Sequence, residues 1–128
     1  MPAGASRTVL VVDDDDSIRM VAEMAMEMVG GWEVLTADGG LAALAVVAER
    51  RPDVVLLDVM MPGMDGIETL RRLQADPATR DIPVVLVTAK ARPAETPAWA
   101  DLPVAGVIAK PFDPMSLSAQ VEQLIGWA

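Results

Sequence analysis

The sequence predicts an α/β fold built on an open parallel β-sheet. Its 128 residues suit one domain, and short apolar runs alternate along the chain with helical patterns, as in βαβ units. The runs are continuous stretches of Val, Leu and Ile, which is typical of parallel strands that are buried on both faces. We therefore predict strands at 8–13, 33–36, 53–58, 83–88 and 104–109.

The segments between and after these strands have helical patterns. They predict helices near 16–29, 39–50 and 66–75, within 93–102, and at 114–125. In the first predicted helix, apolar residues recur at the spacing of one helical face, which we predict to face the core. They are Ile18, Val21, Ala22, Ala25 and Val29.

Three methionines of the first helix lie at four-residue spacing. Because Met20, Met24 and Met28 repeat as a helical face does, we interpret them as core residues. The alternative is a methionine-rich groove for a partner, since methionine is common on adaptable binding surfaces.

The fourth helix is expected to be short, because Pro93, Pro97 and Pro103 crowd its segment and proline interrupts a helix interior. Thr96 as N-cap with Pro97 at the first helical position would still permit a short helix. Trp99 is then either a residue at the core edge or an anchor for a partner.

Composition excludes several classes of function. The chain has no histidine and no cysteine, so it lacks a Ser-His-Asp triad, imidazole and thiolate metal ligands, and a phosphohistidine. A net charge of −9 argues against nucleic-acid binding, and we expect no attached DNA-binding domain. With no apolar run near 20 residues and no signal-peptide core, we expect a cytoplasmic protein without membrane contact. Residues 1–7 are predicted to form a flexible tail and 8–126 the domain.

Four of the apolar runs end in polar groups that suit phosphoryl chemistry. These groups are Asp13 and Asp14 at the end of the first strand, Asp58 in the third, Thr88 in the fourth and Lys110 after the fifth. Ligands of open parallel sheets bind beyond the carboxyl ends of the strands, where these residues would meet. Paired carboxylates suit Mg²⁺, an aspartate can form an acyl phosphate, and the hydroxyl and ammonium groups can orient phosphoryl oxygens.

Each of these residues also has a simpler interpretation. Asp15 and Asp16 are interpreted as helix-capping residues, and Asp13 and Asp14 could have the same role. Adjacent like charges at a strand end favour a bound cation instead. Asp58, Thr88 and Lys110 could separately be a strand terminus, a turn residue and a surface lysine, but their matching positions favour a common site.

Five segments, in order and correctly spaced, resemble the receiver domain of two-component response regulators, the CheY-like family. They are Val11–Asp14 with Arg19, Ala37–Gly39, Leu57–Gly66, Val87–Ala89 and Lys110–Phe112. The resemblance covers 8–126 and implies a three-layer, doubly wound, five-stranded parallel sheet of order 2-1-3-4-5, the flavodoxin-like fold.

The resemblance also implies the roles of the site residues. Asp58 would accept a phosphoryl group from a sensor histidine kinase or a histidine phosphotransfer protein. Asp13, Asp14, Asp58 and the backbone carbonyl of Met60 would hold Mg²⁺. Such a protein catalyses its own phosphorylation and dephosphorylation only, and is not otherwise an enzyme.

The resemblance assigns the response to phosphorylation to the last two strands. Thr88 would move toward the phosphoryl group, Lys110 would form an ion pair with it, and the Lys110–Pro111 bond is expected to be cis. Val107 stands where the family usually has an aromatic residue that changes rotamer, and a valine is stiff and too short for this.

The leading interpretation is a stand-alone receiver, a monomer or weak dimer, that contacts an output protein through residues 90–126. Residues 92–103 are predicted to be mobile and to respond to phosphorylation. The alternatives are a phosphate shuttle or sink in a phosphorelay, a pseudo-receiver that works without phosphorylation, and an Asp-nucleophile phosphatase. Met60 argues against the last, because it stands where such an enzyme needs a second carboxylate.

Overall fold

The computed structural model describes residues 7–89 and 102–126, which form a parallel sheet with helices on both faces. Its strands are β1 (Thr8–Val12), β2 (Glu33–Ala37), β3 (Val54–Asp58), β4 (Val84–Thr88) and β5 (Gly106–Ala109). All neighbouring strands pair in parallel, in the order β2-β1-β3-β4-β5. The predicted fold class and strand order are confirmed.

The helices of the described residues are α1 (Asp16–Met28), α2 (Gly40–Arg50), α3 (Gly66–Ala75) and α4 (Leu117–Ile125). The last begins later than predicted, because the Ser116 N–H donates to the carbonyl of Asp113 in a turn ahead of it. The predicted helix within 93–102, with Trp99 and most of segment 92–103, lies outside the described residues. In the part that is described, no helix has both the length and the hydropathy to span a bilayer.

The sheet separates two apolar cores, because alternate residues of a strand point to opposite faces. On one face the strands contact α1 and α4, and the buried residues include Val9, Val11, Val54, Leu56, Ala22, Ala25, Met26 and Val121. On the other face they contact α2 and α3, and the buried residues include Leu10, Val12, Val55, Leu57, Ala43, Val47, Leu70 and Leu73. Both faces are covered, which explains the continuous apolar runs of the central strands.

The prediction that three methionines of α1 belong to the core is wrong. Met20, Met24 and Met28 are 59%, 49% and 78% exposed. The buried face of α1 is formed by its two alanines and Met26, and Met24 lies about 160° around the helix from Met26 at 100° per residue. A helix that covers a sheet buries one face, so the methionines on the opposite face stay in solvent.

The predicted apolar face of α1 also needs correction at two positions. Val21 is 41% and Val29 is 47% exposed, whereas Ala22 and Ala25 are buried as predicted. Val29 is the C-cap and lies beyond the last helical residue, so the spacing within the helix does not determine its burial. Val21 lies on the side of α1 nearer to the methionines.

Candidate functional site

The strand ends bring the predicted site residues to one edge of the sheet. Asp13 directly follows β1, and its N–H donates to the Ala37 carbonyl of β2 at 3.2 Å. Asp58 and Thr88 are the last residues of β3 and β4. Lys110 directly follows β5, and its N–H donates to the Thr88 carbonyl at 2.9 Å. Four strands thus place carboxylates, a hydroxyl and an ammonium side by side.

Three carboxylates at this edge could share one metal ion. Asp13, Asp14 and Asp58 each offer an oxygen, and these oxygens all lie within 4.8 Å of one another. Asp13 and Asp58 are buried while Asp14 is exposed, so the cluster is open to water on one side. Hard oxygen donors with room for water ligands fit Mg²⁺, which keeps several waters when bound to proteins.

Met60 is the fourth residue that the sequence assigns to the metal. Its backbone N–H donates to Asp58 Oδ1 at 3.3 Å, and its side chain is exposed. This hydrogen bond ties the loop after β3 to the carboxylate. The role of the Met60 carbonyl as a metal ligand stays a prediction.

Lys110 connects two of the carboxylates. Its Nζ lies 2.8 Å from Asp13 Oδ2 and 3.2 Å from Asp58 Oδ1. Burial alone would lower the pKa of Lys110, but the hydrogen bond and negative charge of Asp13, with those of Asp58, raise that pKa. The ammonium therefore stays charged and offsets part of the repulsion between the carboxylates.

Asp58 is the carboxylate whose charged form is disfavoured. Its burial raises the pKa first, and the negative charge of Asp13 adds to this. Lys110 and the Met60 N–H lower the pKa, but not enough to cancel the increase. A cation at the cluster would favour the ionised form, since a positive charge nearby stabilises a carboxylate.

The run of four aspartates divides between the site and the helix. Asp15 is the N-cap of α1, because its side chain accepts hydrogen bonds from the N–H groups of Ser17 and Ile18. Asp16 lies in the first turn and pairs with Arg19, so both helix roles predicted for this pair are present. Asp13 Oδ1 accepts from the Asp15 N–H at 2.9 Å, which orients the buried carboxylate.

Arg19 and Gly66 support the site in ways that the sequence analysis did not predict. Arg19 donates to the backbone carbonyl of Asp13 at 2.8 Å. Gly66 begins α3 against the end of β3, where a Cβ would lie 2.2 Å from the Asp58 carbonyl oxygen. A glycine directly after the N-cap Asp65 is the signal that could have indicated such close contact.

Thr88 and Val107 occupy the positions that the sequence assigns to the response. Thr88 is buried, and Val107 is partly buried against the core formed with α2 and α3. Lys110–Pro111 is the cis peptide bond that was predicted. Beside Lys110 lies an open apolar cleft of about 380 Å³, lined by Ser17, Ile18, Val21, Ala89, Lys110, Pro111 and Phe112.

Comparison with known proteins agrees with this architecture. The sequence profile of the response regulator receiver domain matches residues 9–122. The chain is 40% identical over 119 residues to the phosphate regulon transcriptional regulatory protein PhoB of Pseudomonas aeruginosa. It is 42% identical over 121 residues to the response regulator PleD of Caulobacter vibrioides.

The matches differ in how much of the other protein they cover. Each of these two alignments includes 93% of this chain, but only 52% of PhoB and 26% of PleD, so the chain spans about half or less of those relatives. The chemotaxis protein CheY4 of Vibrio cholerae superposes with a TM-score of 0.86 at 31% identity, covering 94% of this chain and 99% of that one. The chain therefore belongs to the response regulator receiver domains and is a CheY-like receiver of a two-component system.

Proposed function

We propose that this chain is a phosphorylation-controlled interaction module in which Asp58 accepts the phosphoryl group. One observation carries the proposal: Asp13, Asp14 and Asp58 converge within 4.8 Å, and Lys110 contacts two of them. Receiver domains interact with histidine kinases or phosphotransfer proteins, and a phosphohistidine of such a partner is the proposed donor. The proposal includes a cytoplasmic location, as the sequence predicts.

The transfer is assigned to one of the two carboxylate oxygens of Asp58. Among the described residues, Lys110 and the Met60 N–H contact Oδ1, so Oδ2 is the expected nucleophile. An oxygen–phosphorus bond forms there while the nitrogen–phosphorus bond of the donor breaks, and its electron pair returns to the imidazole. In dephosphorylation a water molecule attacks the phosphorus, the bond between phosphorus and the Asp58 oxygen breaks, and inorganic phosphate leaves as the carboxylate is restored. The chain thus acts on its own phosphoryl group only.

Asp13, Asp14, Asp58 and the Met60 carbonyl would hold Mg²⁺ in this scheme. When bound, the ion neutralises negative charge that builds up on the transferring phosphoryl group. Lys110 is positioned to exchange its contact with Asp58 for one with a phosphoryl oxygen. Thr88, at the end of the neighbouring strand, is the proposed hydroxyl that moves toward the same group.

Partners other than the donor follow from surface and charge. We assign the output contact to residues 90–126, of which 102–126 are described. We propose that this chain, whose net charge is −9, does not itself bind nucleic acid. The proposal concerns this chain alone, because PhoB is named a transcriptional regulatory protein and extends well beyond the match. We propose a monomer or weak dimer.

A second candidate function is a phosphate shuttle or sink without an output of its own. The observation that favours it is Val107, which packs partly buried against the core and cannot report by changing rotamer as an aromatic would. Autophosphorylated protein that loses its phosphoryl group rapidly without a partner would favour the shuttle. A long-lived phosphoryl group would favour the interaction module.

The test is phosphorylation by acetyl phosphate in the presence of Mg²⁺, read by intact-protein mass spectrometry. The expected product is heavier by roughly 80 Da, one acyl phosphate. Asp58→Asn should abolish the adduct, and Asp53→Asn, at an exposed position before β3, should leave it unchanged. An adduct that survives in Asp58→Asn, or no adduct on the unaltered protein, would overturn the assignment and leave a pseudo-receiver.

A further inference from the structure

Arg19 is the single basic residue of α1, and its side chain reaches back from that helix to the end of β1. Its Nη1 donates to the backbone carbonyl of Asp13 at 2.8 Å, and its Nη2 pairs with the carboxylate of Asp16 in the first helical turn. The side chain is only 20% exposed. A guanidinium carries its donors in a rigid plane, so it can hold two groups in a fixed relation. Arg19 therefore ties the loop between β1 and α1 to the helix.

The carbonyl that Arg19 holds belongs to the peptide bond between Asp13 and Asp14. Because a peptide unit is planar, a fixed carbonyl oxygen fixes the orientation of the whole unit. The next peptide unit is anchored as well, since the Asp15 N–H donates to Asp13 Oδ1 at 2.9 Å. Two anchored units on either side of Asp14 fix its φ and ψ, and with them the direction in which its side chain leaves the backbone.

The Asp14 carboxylate has no comparable anchor of its own. Asp13 and Asp58 are buried, and Lys110 contacts both of their carboxylates. Asp14 is exposed, and within the described part of the chain its carboxylate makes no hydrogen bond or ion pair. One of its oxygens nevertheless lies within 4.8 Å of oxygens of the other two aspartates. The anchored backbone is therefore what keeps this carboxylate at the cluster.

We propose that Arg19 is a positioning residue that holds Asp14 in place for a divalent cation and thereby sets the affinity of the site for Mg²⁺. The inference rests on the metal role in the proposed function and adds a residue outside the expected ligands. Charge and geometry predict opposite effects of removing Arg19. Its positive charge alone repels a cation, so losing that charge would tighten Mg²⁺ binding. Its hydrogen bond to the Asp13 carbonyl orders a ligand, so losing that bond would weaken Mg²⁺ binding.

The test titrates Mg²⁺ into ¹⁵N-labelled protein without any phosphodonor and follows the backbone amide signals of the site by NMR. The unaltered protein should show saturable shifts at Asp14, Asp58 and Met60. Arg19→Met keeps a long side chain but loses the donors and the charge, and it should weaken Mg²⁺ binding about tenfold. Arg19→Lys keeps the charge and one donating group, so it should recover part of this loss and bind about threefold more weakly than the unaltered protein. Equal or tighter Mg²⁺ binding by Arg19→Met would refute the proposal.

Two further variants test whether Arg19 acts through Asp14. The matched control is Arg50→Met, the same substitution at the end of α2, where Arg50 lies 3.9 Å from Glu33; it should change the Mg²⁺ affinity less than about twofold. In the background of Asp14→Asn, Arg19→Met should weaken Mg²⁺ binding less than about twofold, because the carboxylate that it positions is already gone. An equal effect of Arg19→Met in both backgrounds would contradict the route through Asp14.

Acetyl phosphate labelling separates positioning from a general loss of stability. Arg19→Met should need about tenfold more Mg²⁺ for the half-maximal rate, while the maximal rate stays within about twofold. A lower maximal rate with an unchanged Mg²⁺ requirement would refute the proposal.

Failure of the proposed function gives different results. If the unaltered protein shows no Mg²⁺ shifts, the metal assignment is overturned and this inference with it. If Mg²⁺ binds but Asp58 is never labelled, only the phosphoryl acceptor role is overturned, and the Mg²⁺ titrations still decide the role of Arg19.

Discussion

Replacing Lys110 with methionine removes an ammonium that contacts both buried carboxylates of the site. Its Nζ is 2.8 Å from Asp13 and 3.2 Å from Asp58, and the side chains are 16% exposed for the lysine and 5% for each aspartate. At an effective dielectric constant of 20, charges about 3 Å apart attract by roughly 5 kcal/mol per pair before the cost of leaving water.

The net effect on stability is smaller than this attraction. Removing one partner of a buried pair typically costs about 3–5 kcal/mol, because the remaining charge is left without compensation. Since the lysine keeps some contact with solvent, we expect Lys110→Met to lower the free energy of unfolding by about 3 kcal/mol at pH 7 without metal. Millimolar Mg²⁺ should restore part of this loss, because the cation replaces the missing positive charge and binds the folded state.

Urea unfolding followed by far-UV circular dichroism, in EDTA and in Mg²⁺, measures both effects. The matched control is Arg72→Met, which removes an ion pair of 3.0 Å to Glu68 between side chains that are 53% and 48% exposed. Such a pair contributes about 0.5 kcal/mol or less. If Lys110→Met lowers the free energy of unfolding no more than Arg72→Met does, or if Mg²⁺ restores none of that free energy, the electrostatic account of the site is wrong.

Three further predictions concern the same edge of the sheet. Gly66→Ala should lower the free energy of unfolding by about 2 kcal/mol, because its Cβ would lie 2.2 Å from the Asp58 carbonyl oxygen. Gly39→Ala, where a Cβ meets open space, should cost under about 1 kcal/mol in the same urea assay, and equal losses would contradict the steric argument. Without metal, lowering the pH from 7 toward the ordinary carboxyl pKa of 3.8 should stabilise the unaltered protein relative to Asp58→Asn. Because the pKa of Asp58 is raised in the folded state, its contribution to the free energy of unfolding is present below the unfolded-state pKa and is lost as the pH rises through the folded-state pKa. If the difference in free energy of unfolding between the two proteins does not vary with pH, the raised pKa is contradicted. Excess EDTA should reduce the acetyl phosphate adduct at least about tenfold, with recovery on adding Mg²⁺, and full labelling in EDTA would exclude a metal requirement.

The fold was predictable wherever burial alone determines the residue type. β3 and β4 are buried at every position, so their apolar runs identify central parallel strands. The strand order could not be predicted in this way, because no periodicity encodes which strands are neighbours. That prediction came from the family resemblance. α1 shows the limit of spacing as a signal. Its methionines repeat every four residues whether they face the core or the solvent, and only the packing of Ala22, Ala25 and Met26 decides between the two.

The positions of the site residues were predictable, but their contacts were not. Asp13 and Lys110 are 97 residues apart, and their ion pair depends on how far β1 and β5 extend at the same edge. The different roles within the aspartate run were also not predictable in detail, because Asp15 is the N-cap only if α1 begins at the next residue. The contact of Gly66 with Asp58 requires the angle at which α3 meets the sheet, which a linear pattern does not contain.

The sheet between two separate apolar cores has a consequence for how such a chain can diverge. The exposed methionines Met20, Met24 and Met28 lie on the solvent side of α1, whose inner side contributes to one core, while α2 and α3 contribute to the other. Surface substitutions on α1 can therefore accumulate with little effect on either core, since exposed changes away from such packing usually alter stability by less than about 0.5 kcal/mol. The outer surface of α1 can thus change in sequence while the strand ends, and the site residues that they position, stay the same.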